Sequence, residues 1–177
     1  MKINLNDVIS VVEGDITSNW EVDAIVNSAD STLLGGGGID GVIHRAAGLG
    51  MNQECLLYTG CEVGDARITN GYKLPCKKVL HTVPQVYKNL KESSKVLEKC
   101  YMSVMQLARR MEIRSIAFPA IGTGTYHYPK DYAAKIAITT VVSCVKSNPD
   151  YFTKIVFVCY DKETKLIYDK LVKKLVV

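Results

Sequence analysis

No apolar run in this 177-residue chain approaches the ~20 residues that a membrane-spanning helix needs. Its opening residues, Met1-Lys2-Ile3-Asn4-Leu5-Asn6, lack the apolar centre of a secretory signal, so residence in the cytosol or nucleus is expected. The six cysteines, at positions 55, 61, 76, 100, 144 and 159, form no C-x-x-C pair, and no histidine stands at ligand spacing from them. That pattern argues against structural zinc, and reduced thiols in apolar stretches are the better reading. Charge of one sign is also scarce. Against 18 acidic residues stand 22 basic ones, a net +4 that suits an anionic ligand but is too small and dispersed to argue for nucleic acid. A composition of 47% hydrophobic and 23% charged residues is that of an ordered globular chain, and the length suits one domain over residues 1–177, expected to act as a monomer.

What the chain does have is concentrated in residues 24–48, AIVNSADSTLLGGGGIDGVIHRAAG. A short apolar strand leads through a polar stretch into four glycines, Gly35 to Gly38, and then into an apparent helix start carrying Asp40 and His44. Glycines between a strand and a helix let backbone N–H groups approach an anion closely, and the helix N-terminus adds the positive end of its dipole. Asp40 and His44 are four residues apart and so share one helical face beside that anion site. A plain linker would share the composition, but the flanking Leu33, Leu34, Ile39, Val42 and Ile43 argue for an ordered loop. No Gly-Lys-Ser/Thr follows, so this is not a Walker loop. A formal G-x-G-x-x-G at Gly36, Gly38 and Gly41 leaves a nicotinamide-binding turn as an alternative, but the preceding strand ends about eight residues too early for it.

Periodicity predicts strands at residues 8–13, 24–26, 66–69, 79–83, 115–118 and 154–158, and helices at 39–47, 91–111, 130–147 and 162–175. The strands are nearly continuous in apolar and β-branched residues, as buried, mostly parallel strands are. Leu97, Tyr101, Val104, Ala108 and Met111 make one apolar stripe on the second helix, and Ala133, Ala137, Thr140, Val141 and Cys144 make another on the third, with Pro129 suiting its first turn. Alternating strands and helices imply an α/β fold, a three-layer α/β/α sandwich whose ligands sit at the carboxyl ends of the strands. That rule gathers residues 14–16, 27–40, 122–128 and 159–161 on one rim.

These segments, in order, resemble the macrodomain signature, and within it the MacroD-type ADP-ribosyl hydrolases and O-acetyl-ADP-ribose deacetylases, whose pattern runs N-A-A-N-x-x-L-x-G-G-G-G-V-D-G-x-I-H-x-A-A-G. The likeness extends to Val11-Val12-Glu13-Gly14-Asp15-Ile16-Thr17, to Gly71-Tyr72-Lys73-Leu74-Pro75, to Val79-Leu80-His81-Thr82-Val83 and to the run from Phe118 to Pro129. The resemblance implies a mixed, mostly parallel sheet and an ADP-ribose ligand. It further implies removal of mono-ADP-ribose from acidic side chains of modified proteins, or deacetylation of O-acetyl-ADP-ribose, by direct water attack with neither cofactor nor metal. A non-catalytic ADP-ribose reader is the runner-up.

Carried over residue by residue, the resemblance makes Asp15 an acceptor for the adenine amino group, with Ile16 N–H reading a ring nitrogen and Tyr160 stacking on the base. On its own, Asp15 reads as a cap or turn residue and Tyr160 as packing. Gly36, Gly37, Gly38 and Ile39 would line one side of the diphosphate, and Gly122, Thr123, Gly124, Thr125 and Tyr126 the other. Asn27 joins the ligand set, Asp40 holds or activates water at the distal ribose, and His44 orients it. Three positions depart from the family pattern. Asp30, counted with Asp40 and His44 in the catalytic set at the distal ribose, replaces the usual Asn and can only accept where the amide also donates. His127 stands where Gly is frequent and joins the expected ligand set, its imidazole crowding the distal ribose or contacting the modified protein, and Gly122 stands where Ser is common.

Overall fold

The computed structural model describes residues 4–176. Its elements run α1 (Leu5–Val8), β1 (Ile9–Glu13), β2 (Ala24–Ser28), α2 (Gly38–Ala47), α3 (Leu49–Leu56), β3 (Ala66–Asn70), β4 (Lys78–Thr82), α4 (Leu90–Arg110), β5 (Ser115–Pro119), α5 (Lys130–Ser147), β6 (Lys154–Cys159) and α6 (Lys162–Leu175). Six strands form one sheet in the order β1-β6-β5-β2-β4-β3. All neighbours are parallel except β3, which runs antiparallel to β4 at the edge.

Alternation along the strands divides the core in two. Ala24, Val26, Leu80, Ile116, Phe118, Ile155 and Phe157 pack with the buried faces of α4 and α5 and with Tyr168 of α6. Ile25, Val79, Ala117, Val156 and Val158 face the other way, against Ile43 and Ala47 of α2 and Met51 and Cys55 of α3. The sheet is thus covered on both faces, which explains its unbroken apolar runs. All six cysteines are free and buried.

The expected sandwich is found, with local differences. Residues 5–8 form a single helical turn, so Val8 belongs to α1 rather than to the first strand. The sequence pattern missed α3, which starts after Gly48 without a side-chain cap and buries only Met51 and Cys55. Met111, assigned to the stripe of α4, is instead its half-exposed C-cap. Pro129 is the N-cap of α5 rather than a first-turn residue.

Candidate active site

The carboxyl ends of β2 and β5 open onto a cavity of about 130 Å³ lined by the glycine loop, Asp30, Asp40 and the loop after β5. Gly38, Ile39, Ala120 and Gly124 also line a second, larger hollow of about 500 Å³ that runs toward Val158 and Tyr160 at the end of β6. The two make one cleft, a short end at Asp40 and a wide end at Tyr160. Register brings β1 to that wide end: Glu13 pairs with Cys159, and Gly14 N–H donates to Cys159 C=O at 2.9 Å, placing Asp15 beside Tyr160.

Two backbone arrays face each other across the neck of the cleft. No side chain caps α2, whose N-cap is Gly37. Among the described residues none accepts from the N–H groups of Gly36, Gly37, Gly38 or Ile39, nor from those of Gly124, Thr125 or Tyr126. Unspent N–H groups at a helix N-terminus, opposed by a second unspent set, form a cradle for an anion with oxygens on both sides. The turn holding the second set depends on Gly122, whose φ of +86° suits glycine and whose added Cβ would sit 2.8 Å from the Tyr128 ring.

Asp40, in the first turn of α2, is 3% exposed. Its Oδ1 accepts from Asn27 Nδ2 at 2.9 Å and its Oδ2 from Asp30 N–H at 3.2 Å. Burial pushes its carboxyl up, but the His44 contact and these two donors outweigh it and hold the group ionised below the usual carboxylate range. His44 Nε2 lies 3.3 Å from Asp40 Oδ1, off the axis of a well-formed hydrogen bond. The facing Asp40 carboxylate raises the imidazole's pKa, burial opposes, and Asn52 Oδ1 on Nδ1 adds to the rise.

Behind Asp40 lies a buried polar chain. Asn27 Nδ2 also bonds to His81 Nδ1 at 3.0 Å, and His81 Nε2 meets Thr69 Oγ1 at 2.9 Å. Thr69 donates its hydroxyl to Asn70 C=O, so Oγ1 accepts from His81 Nε2–H and Nδ1 is left to accept from Asn27. His81 is fully buried; desolvation first, then the nearby His44, push its pKa down to about 3, with Asp40 opposing. It is a neutral strut with one defined tautomer.

Comparison with known proteins settles the family. The macro domain profile matches residues 26–137, a stretch that holds both glycine loops and Asp40. The chain belongs to the macrodomain family. The macrodomain is 47% identical to the macro domain-containing protein mll7730 of Mesorhizobium japonicum, over 96% of each chain. It is 44% identical to the ADP-ribose glycohydrolase MACROD2 of Xenopus laevis, over 96% of this chain but only 41% of that longer protein. Among solved structures, the Trypanosoma brucei macrodomain in complex with ADP-ribose superposes with a TM-score of 0.87 at 38% identity, covering 93% of this chain and 68% of that one.

Within this macrodomain most of the expected site residues converge. Asp30, Gly36, Gly37, Gly38, Ile39, Asp40, Gly122, Gly124, Thr125 and Tyr126 line the short end, and Thr123 and Tyr160 the wide end. Asp15 is exposed, its carboxyl held low by the side-chain and backbone donors of Thr17, and Ile16 is buried beside it. Two residues differ from expectation. Asn27 is 0% exposed and spends its amide on Asp40 and His81, so it positions Asp40 instead of meeting a ligand. His127 is exposed, has a φ of +62° and lines neither end of the cleft; that backbone conformation accounts for glycine in the family pattern. Sequence reasoning missed the Thr69–His81–Asn27 chain, Asn52, and the Arg45 and Lys130 side chains at the wide end. A histidine inside the apolar strand Val79-Leu80-His81 was the available signal, because a buried polar group needs partners.

Proposed function

We propose that this macrodomain binds ADP-ribose and hydrolyses the bond at C1″ of its distal ribose, releasing mono-ADP-ribose from ester-linked acidic side chains, and that it also takes O-acetyl-ADP-ribose. The diphosphate suits the neck between the two N–H arrays, the adenosine the 500 Å³ end at Tyr160, and the distal ribose the smaller end at Asp40. One observation carries the catalytic part: an ionised, buried carboxylate at the helix N-terminus lines the cavity that the glycine loops enclose. The names and bound ligands of the relatives support the same ligand class.

A carboxylate held below its usual pKa is a weak base, so Asp40 acts mainly by orienting water and stabilising positive charge that builds on the ribose. The water oxygen bonds to C1″ as the C1″–O bond breaks, the electron pair leaves with the side-chain carboxylate, and the surplus proton passes through Asp40 to solvent. The reader alternative draws on Asp30, an added negative charge at the reacting end. Release of ADP-ribose from a glutamate-modified protein, compared between wild type and Asp40→Ala, separates the two. Turnover falls about a hundredfold or more in the variant, with affinity for ADP-ribose nearly kept, if the protein is a hydrolase. Binding without any wild-type release would make it a reader.

A further inference from the structure

The short end of the cleft carries two carboxylates where the family pattern has one. Asp30 Oδ1 is fully occupied by the 31–33 turn, accepting from Thr32 N–H at 3.0 Å, Thr32 Oγ1 at 2.5 Å and Leu33 N–H at 3.1 Å. That pins the carboxylate with Oδ2 toward the glycine loop. A Cβ placed on Gly36 would sit 3.1 Å from Asp30 Oδ2 and 3.4 Å from Asp40 Oδ2, so both oxygens face one small volume. Among the described residues no Lys, Arg or His lines this end to balance them, and the Tyr126 hydroxyl is spent on Ala29 C=O at 3.0 Å. His44 Nε2 faces Asp40 Oδ1 at 3.3 Å rather than the space between the two carboxylates. That a ligand occupies the cleft at all rests on independent ground, the 38%-identical relative solved with ADP-ribose.

An anionic pocket at the reacting carbon bears unequally on leaving groups. An ester-linked glutamate departs as a carboxylate and meets two like charges. A guanidinium-linked ADP-ribose arrives as a cation, and its planar N–H groups match carboxylate oxygens. From this pairing we infer that the site also hydrolyses ADP-ribose joined to arginine, and that Asp30 is the residue that confers the preference. The step balances without a co-reactant: the water oxygen bonds to C1″, the C1″–N bond breaks with its electron pair going to nitrogen, and the water proton passes through the carboxylates to the departing guanidine. Asp30 Oδ2 holds the guanidinium, while Asp40 keeps its place at the water.

The inference rests on the hydrolase reading, so the test carries both linkages. Wild type and Asp30→Asn are assayed on one peptide mono-ADP-ribosylated at arginine and on another modified at glutamate, with ADP-ribose affinity measured by calorimetry in parallel. The amide keeps Oδ1 for the 31–33 turn, so Asp30→Asn folds, which its calorimetric affinity verifies. The expected result is release from the arginine peptide by wild type, a loss of about tenfold in Asp30→Asn, and a rise on the glutamate peptide. Wild-type release from glutamate alone would overturn the inference and leave the hydrolase standing. An unchanged arginine-to-glutamate ratio in the variant would overturn the role of Asp30. ADP-ribose binding with release from neither peptide would overturn the hydrolase reading and the inference together.

Discussion

Lowering the pH from about 7.5 to about 5 sets the unfolded chain to bind a proton at His81 that the folded protein refuses. In the fold its pKa is pushed from 6.5 down to about 3, chiefly by complete burial. Above pH 6.5 neither state carries the proton and the strut contributes in full. As pH falls from 6.5 toward 3, only the unfolded state is protonated, so stability is lost across that window. At pH 5 the deficit spans about 1.5 units at 1.36 kcal/mol each, or about 2 kcal/mol. His44 has the opposite sign: its raised pKa adds stability that is present below 6.5 and lost as pH rises through the raised value. Because His44 titrates in wild type and variant alike, it largely cancels in a comparison with His81→Gln. Urea unfolding at both pH values should give a wild-type decline about 2 kcal/mol steeper than that of His81→Gln, whatever the variant's absolute stability. Equal declines, or an NMR titration of His81 near 6, would refute the neutral strut.

Other substitutions probe separate parts of the site. In Thr69→Val the buried His81 Nε2–H loses its acceptor, and urea unfolding should register a cost of about 1–3 kcal/mol. Gly41→Ala puts a Cβ 2.5 Å from Gly36 C=O and 3.0 Å from Arg45 Nη1; because the nearer neighbour is backbone, the phosphate loop must move. A loss of about 1–3 kcal/mol in stability is expected, together with weaker ADP-ribose binding by calorimetry. Tyr160→Ala should weaken ADP-ribose binding by about 1–3 kcal/mol, the worth of a base–aromatic stack, while leaving Tm unchanged because the ring is 84% exposed. An unaltered affinity would remove Tyr160 from the adenine end.

Strands were legible because burial on both faces leaves unbroken apolar runs such as those of β2 and β5, and the long helices because α4 and α5 bury one stripe of three-to-four spacing. The helix α3 was not: LGMNQECL offers two inward positions, a glycine in its first turn and no capping side chain, so it is held by packing beneath α2 rather than by local preference. The two glycine loops and Asp40 could be read because chemistry and spacing coincide there. Asn27 was misjudged for a physical reason. Its neighbours in sequence line the cleft, but as part of β2 its side chain turns under Asp40, and only the sheet shows that Asn27 and His81 are register partners on β2 and β4. Contacts spanning 54 residues leave no local trace in a chain.

The strand order has a consequence for how this protein comes into being. β1, near the start of the chain, has a single partner in the sheet, β6, and Ile9 pairs with Ile155. During synthesis at about 5–20 residues per second, β1 must wait on the order of 10 s with its edge unpaired until β6 leaves the ribosome. The wide end of the cleft, where Gly14 N–H bonds to Cys159 C=O, closes only at that moment. A nascent macrodomain can therefore form its glycine loops early and still lack the wide end of its cleft, so a ligand that needs both ends stabilises only the fold in which β6 has slipped between β1 and β5.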